Sequence, residues 1–163
     1  MKEVVNIIVL NGTSSSGKTT LARELQLKYS EVYILCSLDA FWNMTPYGIP
    51  ASSKNFPNMK LALAKSVRAL AETGHNVIVD IVFCGQKTYA ELTSELEGLS
   101  FKIVKVECPL KELNKRELSR SDRTFGLAES QIESVHEGVI YDLIINTQKN
   151  SASECAQKII DSF

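Results

Sequence analysis

The chain has 163 residues and a formal net charge of −1, with 44% hydrophobic and 23% charged side chains. That length suits one domain spanning 1–163, able to bury roughly 70% of its extended-chain surface. The near-neutral balance supplies no basic field for gripping a nucleic-acid backbone, and no stretch approaches the ~20 apolar residues of a membrane span.

The chain begins with Met1-Lys2 and apolar residues, as a signal peptide might, but Glu3 and Asn6 interrupt the run. It leads into a glycine-containing loop instead of a cleavage site, so a cytoplasmic protein is expected. Cys36, Cys84, Cys108 and Cys155 are scattered, with no C-x-x-C pair and no clustered histidines. A disulfide framework or zinc site is not expected. Cys36, Cys84 and Cys108 fall at or just past predicted strand ends, where a thiol either borders the site or packs as a small apolar group.

In chain order, Val4–Leu10 is an apolar run of strand length, and Gly12-Thr13-Ser14-Ser15-Ser16-Gly17-Lys18-Thr19 follows it. A helix comes next, with Leu21, Leu25 and Tyr29 on one face. Val32–Cys36 reads as a second strand, ending in Ser37-Leu38-Asp39. Pro46, Gly48, Pro50 and Pro57 make residues 45–57 mostly loop. Asn58 is placed to cap a helix running to Thr73, with Met59, Leu63, Val67 and Leu70 along one stripe. Val77–Val82 is a third strand, followed by a helix marked by Tyr89, Leu92 and Leu96. Phe101–Cys108 reads as a fourth strand. Pro109 opens a helix that becomes strongly charged through Arg123 and breaks at Thr124-Phe125-Gly126. A short helix around Glu129–Val135, a fifth strand at Tyr141–Ile145 and a last helix behind a Ser151…Glu154 capping box complete the chain.

Strands alternating with helices, several of them apolar on both faces, imply a parallel sheet covered on each side. The expected fold is α/β: a P-loop NTPase fold, three-layer α/β/α, with a five-stranded parallel sheet in the order 2-3-1-4-5.

The loop matches G-x-x-x-x-G-K-[ST] at every fixed position, and it sits between a strand and a helix. Gly12 and Gly17 allow conformations that let successive N–H groups converge on a phosphate. The start of the next helix, through Thr20, adds unpaired amides and the positive end of a dipole. Lys18 reaches the β- and γ-phosphates, and the Thr19 hydroxyl is a direct Mg²⁺ ligand. The nucleotide-binding set is therefore Gly12, Thr13, Ser14, Ser15, Ser16, Gly17, Lys18, Thr19 and Thr20, with Arg116 and Arg120 from the charged helix.

In an open parallel sheet the ligand lies at the carboxyl ends of the strands. Asp39 and Asp80 are both there. A kinase needs one carboxylate to accept the acceptor's proton and often a second for Mg²⁺, directly or through water. Asp39 could instead be a helix N-cap, and the two roles are compatible. Asp80 lies in an apolar run, where a carboxylate needs a metal, a donor or water. Arg116, Arg120 and Arg123, spaced by four and three residues, share a helical face. They suit a lid, about 115–127, closing over triphosphate, which the phosphate loop needs as a partner; the interleaved Glu117 and Asp122 leave a solvated, salt-bridged helix as the alternative.

The chain resembles the chloramphenicol phosphotransferase family of small phosphate-loop kinases. The matching blocks are Ile8–Lys18, Leu38-Asp39, Ile78-Val79-Asp80 with Val82-Phe83, and Arg116-Glu117 with Arg120, Asp122 and Arg123. Val135-His136-Glu137-Gly138 with Tyr141-Asp142, and Glu154-Cys155-Ala156, complete them. The resemblance implies a shikimate-kinase-like fold with an arginine lid, ATP and Mg²⁺ as cofactors, and transfer as in a chloramphenicol 3-O-phosphotransferase. It makes Asp39 the base and Lys18, Arg120 and Arg123 phosphate-binding, catalytic groups. At Ile81 the chain departs from the acidic residue the family carries after this aspartate, and 41–56 match poorly.

The expected partner is a small-molecule acceptor bearing a hydroxyl, an antibiotic or a metabolite; no nucleic acid and no membrane are expected. Its pocket is assigned to Asp39, Phe41, Trp42, Asp80 and Phe83, with Met44 and Tyr47 extending an aromatic wall in the loop 40–58. An antibiotic-resistance role does not follow from this. His136 reads as a structural hydrogen-bonding residue and Tyr141 as packing. Two alternatives stand beside this reading: a nucleotide or polynucleotide 5′-kinase, and an ATP-binding regulatory module without transfer activity.

Overall fold

A computed structural model describes residues 5–49, 54–119 and 125–163. Five parallel strands form one sheet: β1 (Ile7–Asn11), β2 (Tyr33–Ser37), β3 (Asn76–Ile81), β4 (Phe101–Glu107) and β5 (Leu143–Asn146). Their order is β2-β3-β1-β4-β5, as the sequence predicts. The helices are α1 (Lys18–Lys28), α2 (Leu38–Trp42), α3 (Asn55–Glu72), α4 (Gln86–Glu95), α5 (Leu110–Leu118), α6 (Leu127–Gln131) and α7 (Ala152–Ser162). Among the described residues, no helix is long and apolar enough to cross a membrane.

The central strand β1 is buried throughout, and its side chains alternate between two cores. Ile8 and Leu10 pack with Leu21, Leu25, Cys155 and Ile159 of α1 and α7. Ile7 and Val9 pack with Leu63, Val67, Leu92 and Leu96 of α3, α4 and the turn after α4. The same alternation governs β3: Ile78 faces the α1 core, whereas Val79 and Ile81 face the α3 core. Asp80 is two residues beyond Ile78, so it lies on the α1 face at the carboxyl end of the strand.

Several boundaries differ from expectation. Helix α3 begins at Asn55, inside the predicted loop, and Asn58 is not its cap. Pro57 falls in its first turn, where the missing N–H would have had no intrahelical partner anyway. Ser37, not Asp39, caps α2, its hydroxyl accepting from Ala40 N. Helix α5 ends at Leu118 with Ser119 as its cap, so no single described helix carries all three arginines. Arg120 and Arg123 lie outside the described residues. Strand β5 starts at Leu143, leaving Tyr141 in the preceding segment, and α6 is shorter and earlier than expected.

Candidate functional site

Register brings Ser37, Asp80 and Leu10 level across β2, β3 and β1. The chain just past each of these positions therefore opens onto one edge. A cavity of about 570 Å³ lies there, and its walls include Ser14, Ser15, Gly17, Lys18, Thr19 and Thr20 of the phosphate loop and α1. Asp39, Trp42, Asp80, Val82 and Cys84 complete much of the rest, with Phe56, Leu127 and Gln131.

The loop is shaped by two separate constraints. Gly17 has φ 95° and Ser15 φ 62°, both left-handed, a conformation that costs a non-glycine residue of order 1–3 kcal/mol. Gly12 is required for space: a Cβ there would stand 2.3 Å from the Val106 carbonyl oxygen of β4. Lys18 is 7% exposed, and its ammonium donates to Thr13 O across the loop at 2.7 Å. Helix α1 then starts at Lys18, and the first-turn amides of any helix lack intrahelical acceptors. The Ser14, Ser15 and Ser16 hydroxyls are buried without a hydrogen-bond partner among the described residues. A cradle of left-handed backbone, helix-start amides and orphaned buried hydroxyls fits a phosphate chain.

Thr19 on α1 donates to Asp80 Oδ2 at 2.6 Å, and Asp80 is only 9% exposed. One hydroxyl and one carboxylate side by side at the phosphate cradle form a donor set suited to Mg²⁺, which takes few protein oxygens and keeps its waters. Asp39, in the first turn of α2, is exposed and faces the same cavity.

The acceptor wall differs in part from the sequence expectation. Trp42 lines the cavity and meets Phe56 edge-to-face, ring centres 5.3 Å apart. Phe83 does not line it: fully buried, it packs edge-on against Tyr89 in the α3–α4 core. Phe41 also packs against that core, while Met44 and Tyr47 stand in solvent at 74% and 108% exposure. Helical geometry explains the pair: consecutive residues on α2 point about 100° apart, so Trp42 and Phe41 cannot serve one wall. Cys84 is the thiol that borders the cavity; Cys36, Cys108 and Cys155 are buried, their pKa values raised by that burial.

Arg116 braces the loop from its other side. Its guanidinium donates to Ser15 O (3.4 Å), Thr147 Oγ1 (3.2 Å), Thr147 O (3.0 Å) and Glu112 Oε1 (3.1 Å). Thr147, just past β5, also donates to Ser16 O at 2.7 Å. Ser15, Arg116 and Thr147 wall a second cavity of about 340 Å³, with Gly17, Asn150, Ser151 and Ala152.

Further residues support the site without having been assigned to it from the sequence. Asn11 is fully buried; its amide donates to Val135 O and Tyr141 Oη and accepts from Phe83 N. Tyr141 Oη lies 2.6 Å from His136 Nδ1, so with Asn11 donating to it, the phenol proton is directed at an unprotonated Nδ1. Burial, then the Lys105 charge and, more weakly, Lys18, pull the His136 pKa down to about 4, against Glu107. His136 is therefore uncharged at neutral pH, and burial raises the Tyr141 pKa to about 12. Glu117, 2% exposed, accepts from Gly126 N and Ala128 N and so caps α6 from α5. Gln131, at the end of α6, accepts from Ser14 N at 2.7 Å. Asn11, Glu117, His136 and Tyr141 stand in the blocks that carry the resemblance, whereas Gln131 and Thr147 had no sequence signal.

The comparisons agree with this geometry. A Mycobacterium tuberculosis protein named "Putative O-phosphotransferase" is 26% identical over 183 aligned residues, covering 96% of this chain and 81% of the relative. Among solved structures, the APS kinase of Mycobacterium tuberculosis superposes with a TM-score of 0.78 at 19% identity, covering 97% and 96% of the two chains. A gluconokinase from Sinorhizobium meliloti gives a TM-score of 0.71 at 16% identity, covering 97% and 90%. At those identities the likeness establishes the P-loop kinase fold. The family model described as chloramphenicol phosphotransferase-like protein matches residues 5–163, so the chain belongs to the chloramphenicol phosphotransferase-like family.

Proposed function

We propose that this enzyme transfers the γ-phosphoryl group of ATP to a hydroxyl of a small molecule with an apolar body. The carrying observation is that Lys18, the Thr19–Asp80 pair and Asp39 share one cavity with Trp42 and Phe56. A phosphate cradle, a divalent-ion donor pair, a carboxylate and an aromatic wall are the parts phosphoryl transfer needs.

The phosphates lie along the loop, on the amides of Ser15, Gly17 and the first turn of α1 and on the Lys18 ammonium. Thr19 and Asp80 would hold Mg²⁺, which would supply charge neutralisation to the phosphate chain. Asp39 accepts the acceptor's hydroxyl proton while that oxygen bonds to the γ-phosphorus. The bond from the γ-phosphorus to the β-phosphate oxygen breaks, and ADP leaves. The second cavity, behind Gly17 and beside Arg116 and Thr147, takes the base. Arg120 and Arg123, following α5, neutralise the transferring phosphoryl, and Trp42 and Phe56 hold the acceptor's apolar part.

The test is Mg²⁺-dependent ADP release against chloramphenicol, shikimate, gluconate, nucleoside monophosphates and short oligonucleotides, with Asp39→Asn run alongside. Loss of a positioned base costs about 10²–10⁴ in rate. Turnover with a small hydroxylated acceptor that collapses in Asp39→Asn, with ATP affinity kept, is expected. Turnover only with oligonucleotides would replace this reading with a polynucleotide kinase.

A further inference from the structure

Among the described residues, Gln131 is the cavity-lining residue whose side chain hydrogen-bonds the phosphate loop from the region after α5. Its oxygen accepts the Ser14 N–H at 2.7 Å, a contact between residues 117 positions apart in the chain. A backbone N–H can be met only by the oxygen of a carboxamide, so this bond fixes which end of the amide is which. The NH₂ end has no hydrogen-bond partner among the described residues, and Gln131 stands in the wall of the cavity holding Lys18, Asp39 and Asp80.

The placement is also held from behind. Helix α6 is five residues long, and a segment so short has little stability of its own. Its start is tied down by the buried Glu117 carboxylate through Gly126 N and Ala128 N, and its end by the Ser14 contact. Ser16 N is occupied as well, by Thr13 O, so Ser14 and Ser16 amides are both engaged within the protein. The loop amides left for phosphate are those around the left-handed Ser15 and Gly17 and into α1. Ser14 and Gln131 line the same cavity as Asp39, next to those amides in the loop.

We propose that Gln131 is a further substrate-contacting residue, whose carboxamide oxygen anchors on Ser14 N–H while its NH₂ donates to the terminal phosphoryl of the nucleotide. This rests on the phosphotransferase reading above. A neutral donor at that point favours charge on the transferring group without competing with Lys18 for it, and it distinguishes a triphosphate from a diphosphate.

Binding of AMPPNP and of ADP, each with Mg²⁺, measured calorimetrically on wild type, Gln131→Glu and Gln131→Leu, tests this without any acceptor. Gln131→Glu keeps an oxygen for Ser14 N–H but loses the donor, so the loop contact survives. Both variants are expected to weaken AMPPNP about tenfold or more, the order of a hydrogen bond to a charged group, and to change ADP less than about twofold. If Gln131 only braced the loop, Gln131→Leu, which adds no charge, would weaken AMPPNP and ADP by the same factor; that result overturns the proposal. Equal affinity of all three proteins for AMPPNP overturns it too. Wild type that binds neither nucleotide would sink the phosphotransferase reading itself, a distinct outcome.

Discussion

The Thr19 hydroxyl and the Asp80 carboxylate are joined by a 2.6 Å hydrogen bond that links the first turn of α1 to the carboxyl end of β3. Asp80→Asn keeps the shape and removes the charge that a divalent ion needs. The Mg²⁺ concentration for half-maximal activity at saturating ATP is expected to rise about 10–100-fold, as when a metal's supporting ligands are removed. Thr19→Val should act in the same direction. Mg²⁺ titrations that superimpose on wild type would remove both residues from the metal site.

Glu117 is a buried carboxylate whose two oxygens each take a backbone N–H, from Gly126 and Ala128. Glu117→Ala strands both donors, and a loss of about 2–4 kcal/mol in urea unfolding is expected. Glu117→Gln retains one acceptor oxygen and should lose less. Equal stability of Glu117→Ala and wild type would mean that α6 is held without this cap.

Arg116 spends a forked guanidinium on Ser15 O and Thr147. A lysine keeps the charge but cannot span those acceptors. Arg116→Lys should therefore weaken both ATP and ADP about tenfold, because the loop and the second cavity are disturbed together. Calorimetric titration of each nucleotide reads this directly; a change for ATP alone would instead place Arg116 on the γ-phosphate.

His136 has a depressed pKa, about 4 against the ordinary 6.5, mainly from burial. The unfolded chain therefore binds a proton at His136 more readily than the folded one. The stability contributed by neutral His136 is complete above pH 6.5 and is lost as pH falls from there towards 4. Melting temperatures measured from pH 7 down to pH 4.5 should fall more steeply for wild type than for His136→Gln. Parallel curves would mean that other groups set the acid limit.

The short-range chemistry was legible in the chain. Residue types at fixed spacing identified the phosphate loop, and apolar runs of strand length alternating with helices identified strands whose edge carries Asp39 and Asp80. Their order in the sheet also emerged as expected. The reason is physical: backbone sterics and alternation act over a few residues, so they are written locally. Helix starts were less legible, because Pro57 is as compatible with a first turn as with a loop.

What only the tertiary structure decided is which distant side chains meet. Phe83 lies next to a site strand yet packs inward, because the next helix brings Tyr89 against it. Asn11 joins partners 72, 124 and 130 residues away, and Gln131 reaches Ser14 over 117. No period relates such pairs; they follow from how right-handed crossovers stack helices on the sheet. The sequence by itself determined the phosphate-binding chemistry and the edge where it sits. Packing chose the side chains that brace the loop, line the cavity beside it and place an amide in its wall.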